Sequence, residues 1–329
     1  MTNQVVNIIK RASIGKPKKY DILTFPTHER YETQLAKTGH NFYVFNGEGM
    51  KEWNTSYAPV PDNYYMMPKN AIYQGIHYDF ILSQSKFSQF QLAHQINDQR
   101  LNVPVVSLEH TVPIPMWPQG QKETLASMVG DFNVFISEHS QEKWGGLNMP
   151  NSRVVHHGVD TETFKPRKTD RGSYCLSVVN DFVNRDYCCN YSGWTRITQG
   201  IETKLVGETE GLSKAASSVD DLVGEYNACG LFLNTSTLSP VPTTLLEAMS
   251  CGCAVVSTAT CMIPEVITHG ENGLISNDEN ELRSYVEALL NDDKLRDKLG
   301  KAARETVVAR FSQDKFVDNW NTLFDEVVK

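Results

Sequence analysis

Residues 231–252 read LFLNTSTLSPVPTTLLEAMSCG, and the order of chemistry along them decides the fold. Leu231 to Leu233 is a short apolar run that predicts a buried strand. Pro240 and Pro242 each remove a backbone donor, so that strand cannot continue through Ser239 to Pro242. From Pro242 and Thr243 the spacing turns helical, with Leu245, Leu246 and Met249 on one face. A strand, a loop and a helix start bring free N–H groups and the positive end of a helix dipole to one point, which suits phosphate. Val241, Thr243, Thr244 and Leu245 are expected to line that point, while Pro242 has no N–H to give. Glu247 follows about one turn into the helix, where a carboxylate can accept hydrogen bonds from sugar hydroxyls.

Outward from this stretch the same alternation recurs. In the first half, Tyr20–Phe25, Asn41–Phe45, Tyr78–Leu82, Val103–Ser107 and Val134–Ile136 read as strands, the last of these closing the series. The loop Pro26-Thr-His-Glu29 and a helical stretch to Lys37 separate the first two. In the second half, Tyr174–Val179, Thr203–Val206, Leu231–Leu233 and Ala254–Ser257 read as strands. Repeated strand-turn-helix-turn-strand units imply parallel sheets with helices on both faces. Asn280–Leu290, Asp293–Val308 and Gln313–Val328 carry apolar residues at three- and four-residue spacing and predict helices. Residues 46–70, rich in Asn, Pro, Tyr and Gly, read as one long loop, a type of segment that often serves binding.

The 231–252 segment, with Cys253-Ala-Val-Val-Ser-Thr258 and Ile263-Pro-Glu265 after it, resembles the donor site of family-four glycosyltransferases. These are retaining enzymes of the GT-B architecture, two Rossmann-like domains with parallel sheets facing across a cleft. Glu247 and the following Ala-Met-Ser-Cys-Gly252 stand where the family has its second Glu and Ala-Met-Ala-Cys-Gly. Two departures are visible: Ser239 occupies the place of the first Glu, and Cys261-Met262 that of a Gly pair. The resemblance implies an acceptor domain over 1–153, a nucleotide-sugar donor domain over 154–311, and a final helix, 312–329, crossing back to the first domain. Val155-His-His-Gly-Val-Asp160 resembles the segment that links the two, and Pro166 to Gly172 suits a hinge.

The resemblance also implies site residues. Glu247 would hold the ribose diol. Ser239 would face the transferred sugar, with a pocket unlike that of relatives carrying Glu. Cations normally follow the first strand of the donor domain. Here the stretch is Val179-Asn-Asp-Phe-Val-Asn-Arg185, so Arg185 is the expected pyrophosphate cation, Asn180 or Asp181 falling near the place of the other. Oriented amides and a cation can stabilise a leaving diphosphate without reorganising. A surface ion pair is the plain alternative for Arg185. Lys204, at the start of a strand, is a second candidate. His110 lies beyond an apolar run, in a loop at a strand's C-terminal end, where open α/β sheets bind ligands. It is the expected first-domain contact to sugar or phosphate, with a structural histidine as the alternative. His28 or Glu29 could orient the acceptor hydroxyl, against the simpler reading that Thr27 caps a helix.

Bulk properties bound the rest. At 329 residues the chain can hold two cored domains. No run approaches the roughly 18 apolar residues of a membrane span. Seven irregularly spaced cysteines give neither a zinc set nor an obvious disulfide framework. With an N-terminus that puts apolar residues before basic ones, this points to a cytoplasmic protein. No HExxH, paired CxxC or clear Asp-x-Asp motif is present, so no metal and no cofactor are expected beyond a nucleotide-diphosphate sugar as co-substrate. The acceptor is an unspecified hydroxyl, of a glycan, a lipid-linked sugar, a metabolite or a hydroxymethylated base of viral DNA. Residues 10–19 hold five basic residues, yet the net charge of −8 disfavours tight DNA binding. Other classes are a non-catalytic nucleotide-sugar binding module and a sugar-nucleotide epimerase. A dehydrogenase is the weakest reading, since no strand leads into GxGxxG. The sequence sets no oligomeric state.

Overall fold

The computed structural model describes residues 18–55 and 57–329. Of the basic cluster at 10–19, all but Lys18 and Lys19 lie outside the described residues. Two sheets form, each entirely parallel. The first comprises β1 (Asp21–Thr24), β2 (Asn41–Val44), β3 (Tyr64–Met66), β4 (Phe80–Ser83), β5 (Val105–Glu109), β6 (Phe132–Phe135) and β7 (Ser152–Val154). Its spatial order is β3-β2-β1-β4-β5-β6-β7. The second comprises β8 (Cys175–Val178), β9 (Thr203–Val206), β10 (Leu231–Asn234), β11 (Ala254–Ser257) and β12 (Leu274–Ile275), ordered β12-β11-β10-β8-β9. The helices are α1 (Glu29–Leu35), α2 (Gln89–Ile96), α3 (Gln119–Ala126), α4 (Glu138–Lys143), α5 (Asp186–Cys189), α6 (Tyr191–Ile197), α7 (Val219–Ala228), α8 (Thr243–Ser250), α9 (Ile263–Val266), α10 (Glu279–Asn291), α11 (Asp293–Arg310) and α12 (Gln313–Val327). This is the two-sheet α/β architecture expected from the sequence.

Strand order explains where a ligand can bind. In each sheet the direction of winding reverses once, between β1 and β4 in the first and between β8 and β10 in the second. Loops leaving adjacent strands at such a reversal run to opposite faces and open a crevice at the strands' C-terminal ends. The crevices are therefore lined by the residues after β1, β4, β8 and β10. Strands β4, β5, β10 and β11 are buried along their whole length, which is why they read as apolar runs without alternation.

Three strands depart from the sequence reading. Residues 46–70 are not all loop, because β3 adds to the edge of β2 through Phe42↔Tyr64 and Val44↔Met66. The first sheet does not end at Val134–Ile136: β7 pairs beyond it, Asn133↔Ser152. β12 is two residues long and pairs with β11. Each is a short edge element held by a neighbour's hydrogen bonds, so its own composition carries almost no signal.

The helices obey local rules. Asp278, Asp292 and Ser312 cap α10, α11 and α12 through their side chains. α8 ends at Gly252 (φ +73°), with Gly252 N donating to Met249 O and Cys253 N to Ala248 O. This left-handed termination satisfies the last carbonyls and is the structural reason for a glycine after Ala-Met-Ser-Cys. Gly300 of α11 packs on the same turn, where a Cβ would collide with the Gly252 carbonyl. α12 is encoded after the second sheet but buries Phe316, Trp320, Leu323, Phe324 and Val327 in the core of the first, with Ile22, Phe80 and Val106. Trp320 Nε1 donates to Tyr31 Oη at 3.2 Å, Asn321 Oδ1 meets His40 Nε2 at 3.0 Å, and Glu326 pairs with Arg153 at 3.0 Å. Among the described residues, no helix is long and apolar enough to cross a membrane.

Candidate active site between the two sheets

The loop from β10 to α8 carries the first group of predicted residues. Pro242 precedes α8 and offers no side-chain cap. Leu245 N and Leu246 N both turn back to Pro242 O, and among the described residues the amides of Thr243 and Thr244 have no acceptor. Two open N–H groups at a helix start form an anion site in waiting. Glu247 lies one turn further on. Tyr226 of α7 donates to its Oε2 at 2.9 Å. Burial pushes the Glu247 carboxyl up to about 7, against the pull of the Tyr226 hydroxyl and of the Arg30 charge on α1. Arg30 belongs to the first sheet's layer, so Glu247 faces the seam between the lobes. Val241 packs against the cores of both sheets. Ser239, half-buried, lies between Val241 and a pinned segment.

That segment joins the β8 loop. Thr237 N and Leu238 N donate to Cys188 O at 2.9 and 3.1 Å, and Thr235 Oγ1 donates to Cys189 O at 3.0 Å. α5 is thereby stitched to the donor loop, and Arg185 is the residue immediately before α5. Its guanidinium is exposed, touches Asn180 O at 3.4 Å, and has no carboxylate within ion-pair distance among the described residues. Asn180 and Asp181 shape the turn. Asn180 Oδ1 accepts from Glu208 N at 2.9 Å, and Asp181 adopts φ +50° with its N–H on Glu208 O. The surface ion pair that was the alternative for Arg185 does not form.

On the opposite wall, Gln84 follows β4 and ties it to the β1 loop through Thr24 Oγ1 (3.2 Å) and Phe25 O (3.3 Å). His110 follows β5, and its Nε2 lies 3.4 Å from Gln84 Oε1. The His110 ring is 6.5 Å from His28, 4.6 Å from Tyr31 and 6.0 Å from His157. Burial, and then the neighbouring His157 and His28, push the His110 imidazole well below its usual pKa. His28 is the exposed first residue before α1.

Three expectations need correction here. Thr27 does not cap α1: Glu32 does, its Oε1 accepting from Thr27 N (2.6 Å) and His28 N (3.1 Å). Glu29 is not free to orient an acceptor. It is 4% exposed, its Oε2 is bound by Lys51 at 2.7 Å, and its Oε1 accepts from Asn54 N at 3.0 Å. Its task is to hold the 51–54 loop. Lys204 is not brought to the cleft. It stands at the second position of β9 with Nζ on Glu225 at 2.7 Å. It lines a separate cavity of about 530 Å³ with Tyr174, Arg167 and Asp220, and the last two also pair, at 2.5 Å. None of the other predicted site residues lines that cavity, so volume alone does not locate the chemistry.

Sequence reasoning missed two features of the seam. Val155-His-His-Gly-Val-Asp160 reads only as a connector, yet His157 enters the cluster around His110. Glu265 of α9 accepts from Glu138 N (3.0 Å) and His139 N (2.6 Å), so a residue of the second lobe caps α4 of the first. His156 Nε2 lies 3.6 Å from both Glu138 and Glu265. Burial alone would raise the Glu265 carboxyl, but His156, Glu138 and the two amides hold it at about 2. These three side chains have the spacing of a metal-ligand set, but both Glu265 oxygens already serve the helix.

Two all-parallel α/β sheets wound in this order form the GT-B fold. Residues 213–306, which include α8, Glu247 and Glu265, match the family of glycosyl transferases group 1. Across those residues the chain is similar to that family of nucleotide-sugar-dependent glycosyltransferases. It is similar over 99% of its length to an uncharacterized glycosyltransferase of Methanocaldococcus jannaschii, at 26% identity and covering 94% of that protein. It is 36% identical over 87 residues to the N-acetyl-alpha-D-glucosaminyl L-malate synthase of Bacillus anthracis, which spans 26% of this chain and only 23% of that enzyme. In fold it resembles sucrose-phosphate synthase from Thermosynechococcus elongatus (TM-score 0.73, 14% identity, 94% of this chain and 99% of that one). It likewise resembles Anabaena HepE in complex with UDP and glucose (TM-score 0.73, 15% identity, 93% and 100%).

Proposed function

We propose that the protein transfers a sugar from a nucleotide-diphosphate donor to a hydroxyl, with the diphosphate seated on the open amides of Thr243 and Thr244 and met by Arg185. Glu247, held by Tyr226 and keeping one oxygen free of partners among the described residues, takes the ribose diol. As the glycosidic bond breaks, negative charge grows on the diphosphate, and fixed amides with an unpaired guanidinium oppose it without rearranging. His110 approaches from the other lobe toward the transferred group, and His28 stands at the acceptor side. In this reading residues 1–153 carry the acceptor side, 154–311 the donor side, and 312–329 fastens the two. The donor class is a nucleotide sugar and the acceptor class a hydroxyl compound.

The observation that carries the reading is the coincidence, at one winding reversal, of two unpaired helix amides, an unpaired Arg and a carboxylate one helical turn away. The test is a thermal-shift and calorimetric screen of the full chain against UDP, GDP, ADP and their glucose or mannose conjugates. A ligand selective for the folded state raises its apparent stability, by about 2.7 kcal/mol at a hundredfold excess over Kd. One nucleotide should raise the melting temperature, with the response abolished by Glu247→Ala. No response to any of them removes the reading.

A further inference from the structure

His157 stands three residues past β7, on the stretch that leads from the first sheet to the second. Its ring lies against Tyr31 at 4.9 Å between centroids and 6.0 Å from His110. His28, His110 and His157 come from three separate segments and converge around Tyr31. Val241 of the donor loop packs on the same extended core as Tyr31 and Val155, and the charge of Arg30, the residue before Tyr31, reaches Glu247, so α1 with its histidine cluster faces the proposed donor seat.

The Nε2 atom of His157 is buried and, among the described residues, has no hydrogen-bond partner. An unpaired buried polar atom destabilises the fold, and a ligand that supplies the missing bond removes that cost. The cluster offers no compensating charge: among the described residues, none of His28, His110 and His157 has a carboxylate within ion-pair distance. Burial, then His28 and His156, bring the His157 imidazole down to about 3, so it stays neutral at working pH. A neutral imidazole presents one donor and one acceptor, the pattern of a hydroxyl. It cannot offset the charge of a phosphate or a carboxylate, and the neighbouring cations are already engaged, Lys51 by Glu29 at 2.7 Å and Arg30 by the Glu247 carboxylate.

We infer that His157 contacts the sugar of the nucleotide donor through Nε2, and that the sugar accepted there is a neutral saccharide rather than an acid sugar. This rests on the transferase reading above. The diphosphate seat at α8 and the sugar contact at His157 come from different segments, so their contributions to binding separate.

The experiment is calorimetry on the full chain with UDP, UDP-glucose and UDP-glucuronate, or the equivalent set for whichever base the nucleotide screen selects. Wild type should bind the glucose conjugate more tightly than the bare nucleotide, and the glucuronate no more tightly than the nucleotide. His157→Phe should lose about tenfold in affinity for the glucose conjugate, the equivalent of one hydrogen bond, and keep its affinity for the nucleotide within about twofold. His157→Asn, which restores a donor and an acceptor, should recover most of the loss. Should the Phe variant not fold, His157→Leu takes its place. Equal weakening of both ligands, unchanged binding of the glucose conjugate, or equal affinity for glucuronate and glucose each overturn the inference. If wild type binds no nucleotide, the transferase reading itself fails.

Discussion

Replacing Glu247 with Gln should make the free protein more stable and a poorer binder, and the size of the first effect follows from burial. The Glu247 carboxyl sits at about 7 instead of 4.5. At about 1.36 kcal/mol per pH unit, keeping it ionised in the fold costs at most about 3 kcal/mol. The side chain keeps a partly exposed edge, so about 1–2 kcal/mol is the expected cost after solvent screening. Because the folded-state value is raised, the fold binds this proton more tightly than the unfolded chain does. The penalty is therefore absent below about pH 4.5 and complete above about pH 7. Gln keeps the acceptor for Tyr226 and removes the charge. Thermal melts should show Glu247→Gln above wild type by about 2–6 °C at pH 8, and level with it at about pH 4. Nucleotide affinity should fall about tenfold in the same variant, since one carboxylate oxygen and its charge are lost to the ribose diol. A variant no more stable than wild type at pH 8, or equally stabilised at both pH values, would refute the reasoning.

Arg185→Gln should weaken nucleotide binding by about tenfold or more, with a melting temperature unchanged, because the guanidinium makes no ion pair in the free protein. Lys204→Gln is the matched control and should leave nucleotide affinity alone; a reversal of the two results would put the diphosphate elsewhere. Trp320→Ala should cost about 3–5 kcal/mol, because the side chain is fully buried in the first sheet's core, and denaturant unfolding would measure it. Glu265→Ala should cost about 1–2 kcal/mol by leaving two amides of α4 uncapped. Since the Glu265 carboxyl is depressed to about 2, its contribution is present above about pH 4.5 and lost as pH falls through about 2. Melts of Glu265→Ala and wild type should therefore converge toward pH 2.

The legible residues are those whose meaning is local. Leu231 to Gly252 declares a strand, a break at two prolines, a helix start and a glycine termination, and each of these is decided within about five residues. The illegible ones depend on distant partners. Glu29 looks like a free acid beside a histidine, but its ammonium partner Lys51 lies 22 residues on. Lys204 looks like an available cation until Glu225, 21 residues away, is folded against it. Glu265 is visible in a Pro-Glu pair, yet the amides it caps are more than 120 residues earlier.

The sequence by itself determined two parallel α/β layers, the helix start of α8 after two prolines, Glu247 one turn inside it, and the amphipathic face of α12. Short-range sterics, hydrogen bonding and apolar periodicity suffice for these. Tertiary structure alone decided that Arg185 is left unpaired while Lys204 is not. It also brought His157 beside Tyr31 and His110, and joined the lobes through Glu265 and α12. Whether a charge is free or spent, and whether an imidazole is buried without a partner, depends on which surfaces meet across hundreds of residues. Packing fixes that meeting, and no local pattern encodes it.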